Sequence, residues 1–169
     1  MSFLDLLKHR RSIRQYKEEA VSKEALEAIV EAGLLSPSGR NIRPWELIVV
    51  QKKETLEKMS ECRVGSAKML AGASVAIVVI ADPEKTDVWT EDCSIVMSNM
   101  HNMAHDLGLG SCWIHRAKEE FESEEGKGIL KTLGIAGDYE GIGHCVLGYA
   151  ATASAEPKER KASYIYYAE

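Results

Sequence analysis

Apolar residues follow a helical spacing in the two opening stretches of the chain. Ser2, with Asp5 three residues later and apolar residues after it, predicts a short capped helix. Ser22 predicts the cap of a second helix, SKEALEAIVEAGLL, in which one face holds Leu26, Ile29, Val30 and Gly33. The stretch SPSGRNIRP, residues 36–44, holds two prolines and a glycine and predicts a loop.

Four later stretches have the composition of β-strands. They are WELIVV at 45–50, ASVAIVVIA at 73–81, SCWI at 111–114 and GIGHCVLGYAA from residue 141. The second is continuously apolar and rich in β-branched residues, which predicts a central strand buried on both faces. ETLEKMSE and AKMLAGA predict short helices between the first two strands.

A long helix is predicted over residues 90–107, with apolar residues on more than one face. That distribution predicts burial on several sides, as at a subunit interface. Residues 118–133 are predicted to be helical and charged, with the helical structure weakened by Gly126 and Gly128. Helices and strands do not alternate strictly, so their order favours an α+β fold over a doubly wound sheet.

Composition then narrows the class of protein. The chain has 169 residues, 45% of them hydrophobic, and a net charge of −5, which fits one domain over residues 1–169 and argues against nucleic-acid binding. No apolar run has membrane-spanning length and no signal peptide is indicated, so we expect a cytoplasmic protein without membrane contact.

No GxGxxG or GxxxxGK[ST] motif is present, which argues against Rossmann and P-loop chemistry. Reduced, partly buried thiols are predicted for the widely spaced Cys62, Cys93, Cys112 and Cys145.

Five short motifs are candidates for ligand binding, and each also has a plain structural explanation. RRSIR, at residues 10–14, concentrates arginine side chains suited to phosphate oxygens, although arginines also favour a helix C-terminus. The others are SPSGRN at 36–41, Lys68, GLGSCWI at 108–114 and KERK at 158–161. Taken alone, these four predict an ordinary loop, a solvated lysine, core packing and a solubilising tail.

In this order and spacing, the motifs make the chain resemble the nitroreductase family of FMN-dependent oxidoreductases. The resemblance covers nearly the whole length and rests on RRSIRQY, SPSGRNIRPWELIVV, KMLAGASVAIVV, AHDLGLGSCWI, GHCVLGY and a basic C-terminal tail. It implies a mixed, mainly antiparallel sheet flanked by helices, in an intertwined homodimer. Two FMN sites would lie at the dimer interface, and the C-terminal segment of each chain would reach across to its partner.

The resemblance also implies which residues bind FMN. The segment that serves the phosphate, the ribityl chain and the pyrimidine edge corresponds to Arg10, Arg11, Ser12 and Arg14. The segment supplied by the other subunit corresponds to Pro37, Ser38, Gly39 and Asn41, and the lysine near the pyrimidine end to Lys68. The strand past flavin N5 corresponds to Trp113, Ile114 and His115, and the C-terminal phosphate contact to Arg160 with Lys161.

The chain departs from the family pattern in three places. Gly65 stands where many relatives carry an asparagine, and Gly39 and Arg40 replace more usual small polar residues. The chain is also shorter than typical members, between Pro83 and Val88 and after His115. The shortened regions predict a more open substrate pocket, Gly65 predicts the loss of one polar contact, and Arg40 predicts a change in access to the pocket.

The activity implied by the resemblance is a ping-pong cycle. NADH or NADPH passes hydride to flavin N5, and a small acceptor such as a nitroaromatic or a quinone is then reduced. Since FMN does the chemistry, no side chain is predicted to be a catalytic acid or base, while a cation near N1 and O2 would stabilise reduced flavin. The alternative is a flavin-binding protein of the same fold without general reductase activity, in a flavin-sensing, flavin-modifying or dehalogenating branch.

The sequence argues against two other chemistries. His101 and His105 are four residues apart, hence on one helical face, but Asn102 stands where an HExxH site needs glutamate, so structural histidines are favoured over a metal site. Cys145 follows His144, and adjacent strand residues point to opposite faces, which argues against a cysteine nucleophile paired with that histidine.

Overall fold

A four-stranded antiparallel sheet forms the centre of the protein in the computed structural model, which describes residues 2–61 and 68–168. The strands are β1 (Trp45–Val50), β2 (Val75–Ala81), β3 (Gly110–Ile114) and β4 (Glu140–Gly148), in the spatial order β1-β2-β4-β3. The four predicted strands are therefore confirmed. The positions of Cys62 and Gly65 lie outside the described residues.

Seven α-helices are present in the described part of the chain. They are α1 (Phe3–His9), α2 (Lys23–Leu34), α3 (Lys53–Glu61), α4 (Lys68–Ala71), α5 (Trp89–Asp106), α6 (Ala117–Glu122) and α7 (Glu124–Thr132). Both predicted serine caps are confirmed, because Ser2 Oγ accepts from the Asp5 amide at 3.2 Å and Ser22 Oγ accepts from the Ala25 amide at 3.1 Å. None of these helices combines the length and the apolar character needed to span a bilayer.

Helices cover both faces of the sheet. The alternating side chains of β2 divide between two cores, one with α2 and α5 and the other with α3, α4, α6 and α7. Every residue of β2 is at most 1% exposed, which confirms the predicted central strand. The result is a three-layer α+β structure.

The long helix α5 packs on the sheet with one face and on α2 with another. Its buried positions include Val96, Met97, Met100 and Ala104, all at 0% exposure. Contacts within one chain thus largely explain why α5 has apolar residues on several faces. The sequence had predicted a subunit interface for this pattern. Gly108 follows the helix with a φ of +77°, a conformation that favours glycine.

The predicted helical structure over residues 118–133 is confirmed, but it is interrupted once. The segment forms α6 and α7, which meet at Ser123 rather than at Gly126 or Gly128. Ser123 Oγ accepts from the Gly126 amide at 3.1 Å and caps the second helix, so a local side-chain bond ends one helix and starts the next. The three described cysteines are buried and unpaired, as predicted.

Candidate cofactor site

The arginine-rich segment lies extended along the edge of the sheet after α1 ends at His9. Ser12 forms a parallel bridge with Ser111 of β3, and the Ile13 amide donates to the Ser111 carbonyl at 2.9 Å. Tyr16 forms an antiparallel bridge with Ala150 just beyond β4. The segment therefore adds a short parallel pairing to the sheet and holds its arginines next to β3.

The three arginines of this segment differ in their partners. Arg11 Nη1 donates to the Arg10 carbonyl at 2.7 Å, and Arg14 Nη1 donates to the Ser12 carbonyl at 3.4 Å. Arg10 is half-buried, and its guanidinium has no hydrogen bond or ion pair with the described residues. A half-buried cation without an internal acceptor is suited to an external anion.

Trp113 of β3 lies beside this segment and is half-buried. Its ring stacks on His115 at a centroid distance of 5.2 Å and on His101 of α5 at 6.4 Å. Gly143 of β4 lies against the indole, and a Cβ atom there would overlap Trp113 Nε1. The glycine thus permits the position of the tryptophan, while the neighbouring Ile114 points into the core at 1% exposure.

His101 lies behind Trp113 and is 6% exposed. Its Nδ1 is 2.8 Å from Ser111 Oγ and 3.6 Å from Cys145 Sγ. Burial and, to a smaller extent, the charge of Arg10 lower the pKa of His101 to about 4, so the ring is neutral at neutral pH. Its Nε2 is buried without a partner among the described residues.

The histidine spacing in HNMAH is compatible in sequence with a different chemistry, a metal site that includes His101. In residues 2–61 and 68–168, no group of three potential ligands from His, Cys, Asp and Glu is placed to hold a metal ion. The sequence did not predict the contacts of His101 with β3 and β4, because these contacts depend on how α5 lies on the sheet.

His144 and Cys145 point to opposite faces of β4, as predicted. His144 Nε2 is 2.7 Å from Glu120 Oε2 of α6, with both side chains at most 1% exposed, whereas Cys145 lies against His101. Burial raises the pKa of the Cys145 thiol, and the residue is 0% exposed. A nucleophilic role for this buried thiol is therefore unfavourable.

The loop that follows α2 is fixed to the N-terminal end of α5. The Gly39 amide donates to Asp92 Oδ1 at 2.9 Å, and Arg40 Nη2 donates to Asp87 Oδ1 at 2.7 Å. Arg40, Asn41 and Arg43 have φ angles of 53°, 57° and 53°, in the left-handed region that costs energy for such residues. Asp92 precedes His101 by nine residues, a helical rise of roughly 14 Å, so this loop is held away from the arginine segment of its own chain.

One chain therefore brings together only part of the predicted site. Arg10, Ser12 and the Trp113–His115 strand segment are neighbours through β3. The remaining predicted residues lie elsewhere: Pro37, Ser38, Gly39 and Asn41 in the loop, Lys68 exposed at the start of α4, and Arg160 and Lys161 in an exposed tail. Their assignment to the site stays a prediction, and for the loop and the tail it requires a second copy of the chain.

A family model and a curated relative both match most of this chain. The model of the nitroreductase family matches residues 7–64 and 61–149. A protein of Archaeoglobus fulgidus, which carries the provisional name NADH dehydrogenase/NAD(P)H nitroreductase, is 38% identical over 165 residues, covering 95% of this chain and 88% of its own length.

Solved structures agree with the family model. An FMN-dependent nitroreductase from Clostridium difficile R20291 has a TM-score of 0.86 and 38% identity, with 98% of this chain and 99% of that chain covered. A nitroreductase with bound FMN from Bacteroides fragilis NCTC 9343 has a TM-score of 0.88 and 27% identity, with both chains covered completely. The chain belongs to the nitroreductase family.

Proposed function

We propose that the protein is an FMN-dependent oxidoreductase that transfers reducing equivalents from NADH or NADPH to a small electron acceptor. The observation that supports this most directly is the placement of the Arg10 segment along β3, beside Trp113. A half-buried guanidinium that has no acceptor in the described part of the chain can bind a phosphate, and the adjacent strand with its aromatic residue provides a surface for a flat ring. The donor set of the chain thus fits FMN.

The residues of this chain have binding and orienting roles in the proposal. Arg10, Arg11, Ser12 and Arg14 hold the phosphate, the ribityl chain and the pyrimidine edge, and the Trp113–His115 segment runs beside the ring. Lys68 is assigned to the pyrimidine end, where a positive charge favours the reduced cofactor. When bound, FMN supplies the redox chemistry at N5, first with the nucleotide and then with a nitroaromatic, quinone or similar acceptor.

The protein acts as an intertwined homodimer in this proposal. Apolar side chains on α1 and in the C-terminal tail are exposed in a single chain and would be covered by a second copy. The exposed fractions are 67% for Phe3, 61% for Leu4, 90% for Tyr166 and 85% for Tyr167. β1 is an edge strand that pairs only with β2 among the described residues. The tail of one copy would bring Arg160 and Lys161 to the other, and the loop with Pro37, Ser38, Gly39 and Asn41 would complete the partner's flavin site.

Removal of residues 153–169 tests this assembly. We expect the truncated chain to sediment as a monomer and to lose at least about tenfold in FMN affinity, because both the tail contact and two phosphate-directed cations are removed. Its far-UV circular dichroism should be retained, since the tail residues whose burial is described are all exposed. The variant with Arg160→Ala and Lys161→Ala should remain dimeric and lose only affinity. A truncated chain that stays dimeric with unchanged FMN affinity would contradict the assembly.

Anaerobic reduction tests the reaction itself. We expect the purified protein to show oxidised-flavin absorbance, to bleach on addition of NADH or NADPH, and to regain colour when a nitroaromatic or quinone is added. Both nucleotides are to be compared at equal concentration. A protein that binds flavin but is not bleached by either nucleotide would favour the non-reductase alternative, and one that binds no FMN would refute the proposal.

A further inference from the structure

We propose that Asp92 is a positioning residue for the flavin site of the other subunit. Its carboxylate holds the loop of residues 37–43 in the conformation in which this loop meets FMN. The inference rests on the proposed function, in which the loop completes the site of a second copy. It adds a residue of α5 that the family resemblance does not assign, and this residue acts through the loop rather than by touching the cofactor.

The loop requires an external hold because its backbone is strained. Arg40, Asn41 and Arg43 have φ angles of 53°, 57° and 53°, so three of four consecutive residues are non-glycine residues in the left-handed region. Such a backbone persists only where its surroundings over-determine it, and strain of this kind is concentrated at ligand-binding segments. Ser38 Oγ accepts from the Arg43 amide at 2.9 Å, but this bond lies within the loop and does not attach it to the rest of the protein.

Residues 39 and 40 are attached to the start of α5 and to the turn before it. Asp92 is 4% exposed, and its Oδ1 accepts from the Gly39 amide at 2.9 Å. Arg40 Nη2 donates to Asp87 Oδ1 at 2.7 Å and to Thr86 Oγ1 at 3.3 Å, but the Arg40 and Asp87 side chains are 68% and 82% exposed. A bond from a backbone amide to a buried carboxylate is shielded from water, whereas an exposed ion pair contributes little. Asp92 therefore provides the stronger of the two attachments.

Gly39 allows the loop backbone to come this close to α5. A Cβ atom at this position would lie 2.8 Å from Val88 Cγ2, so the small polar residues more usual in the family would not fit without a shift. Arg40, the other departure in the loop, bonds to Asp87 in the segment between Pro83 and Val88, where the chain is shorter than typical members. These departures from the family pattern therefore meet at one junction between the loop and α5.

The second carboxylate oxygen of Asp92 argues against a role in stability alone. Oδ2 is buried and has no hydrogen-bond partner among the described residues. Burial of an oxygen without a donor costs free energy, so an apolar side chain would stabilise a single chain at least as well. The carboxylate is instead explained by the bond of Oδ1 to Gly39, whose amide has no other acceptor in the described part of the chain.

Hydrogen exchange of the Gly39 amide, resolved by NMR, tests this role together with FMN affinity. We expect Asp92→Ala to remove the protection of this amide and to weaken FMN binding about tenfold, as for a lost bond to a charged group. Asp92→Leu, which removes both oxygens and fills the space, should have the same two effects. Asp92→Asn retains an acceptor and should recover most of the protection and part of the affinity. The matched control is Glu91→Ala, which removes an exposed carboxylate from the same turn of α5 and should change neither quantity.

Mixed dimers test whether Asp92 acts on the site of the other subunit. One chain carries Asp92→Ala, and the other carries alanine in place of the arginines at residues 10, 11 and 14. If the loop serves the partner, both defects fall in one site and the second site is intact, so we expect one FMN per mixed dimer to bind with wild-type affinity. If Asp92 acts on the site of its own chain, each site carries one defect and no tight site remains.

Three results would overturn the positioning role. They are an unchanged Gly39 exchange rate in Asp92→Ala and Asp92→Leu, lost protection with unchanged FMN affinity, and a mixed dimer without a tight site. A wild-type protein that binds no FMN would instead refute the proposed function, while its Gly39 exchange rate would still report on the bond to Asp92, so the two failures are distinguishable. Flavin fluorescence titration provides the dissociation constants, and circular dichroism confirms folding of each variant.

Discussion

Replacement of Glu120 by alanine is expected to lower the free energy of unfolding by about 3–5 kcal/mol, because it leaves a buried histidine without its partner. Glu120 Oε2 lies 2.7 Å from His144 Nε2, and the two side chains are 1% and 0% exposed. The other ring nitrogen, Nδ1, is 3.4 Å from the Ile114 carbonyl, so both nitrogens of His144 face an oxygen acceptor, and the carboxylate is the nearer of the two. The pair thus supports the strand segment that leads into the candidate site.

Urea unfolding measures this effect, with Glu122→Gln in the same helix as the control. The Glu122 carboxylate is exposed, 3.9 Å from Lys118, and its removal should leave the unfolding midpoint almost unchanged. The double variant Glu120→Leu with His144→Phe should recover much of the loss, because an apolar pair of similar volume needs no compensation. A shift of less than about 1 kcal/mol for Glu120→Ala would contradict the assigned role of the pair.

Acidification is expected to destabilise the protein through His101, by about 3 kcal/mol between neutral pH and pH 4. The pKa of this ring is lowered from 6.5 to about 4 in the folded state, mainly by burial, and each pKa unit corresponds to about 1.4 kcal/mol. Because the unfolded chain binds the proton first, stability is retained above about pH 6.5 and falls as the pH drops towards 4. Below the folded pKa the contribution levels off.

The pH dependence of the free energy of unfolding, compared between wild type and His101→Gln, separates the contribution of His101 from that of the carboxylates that titrate in the same range. Urea unfolding at several pH values should give a shallower loss of stability for the glutamine variant, which cannot take up the proton. His9→Gln, at an exposed position in α1, should retain the wild-type pH dependence. An identical pH dependence in His101→Gln and wild type would refute the prediction.

Local patterns were sufficient to predict most of the secondary structure. The period of the apolar residues predicted the four strands, and the serines at residues 2 and 22 predicted two helix starts, because capping depends on residues three positions apart. The break at Ser123 within the predicted helical stretch has a local cause as well. The serine hydroxyl, and not one of the glycines, bonds the backbone and divides the stretch into two helices.

The candidate site could be predicted only in part. Its arginines, glycines and Trp113 are visible as short motifs whose order matches one family. The contacts of Asp92 with Gly39 and of His101 with Ser111 left no sequence signal, because they join residues of different elements. An aspartate in the first turn of a helix is expected for electrostatic reasons alone, so Asp92 did not stand out.

RRSIR itself illustrates the division between sequence and tertiary structure. The sequence determined a concentration of cations in an acidic chain and a family in which such a segment binds FMN. Only the fold decided that Arg11 and Arg14 bond their own backbone while Arg10 is half-buried and has no acceptor among the described residues. The reason is physical: charge and periodicity are local properties, but burial and the direction of a hydrogen bond depend on elements that are distant in the chain.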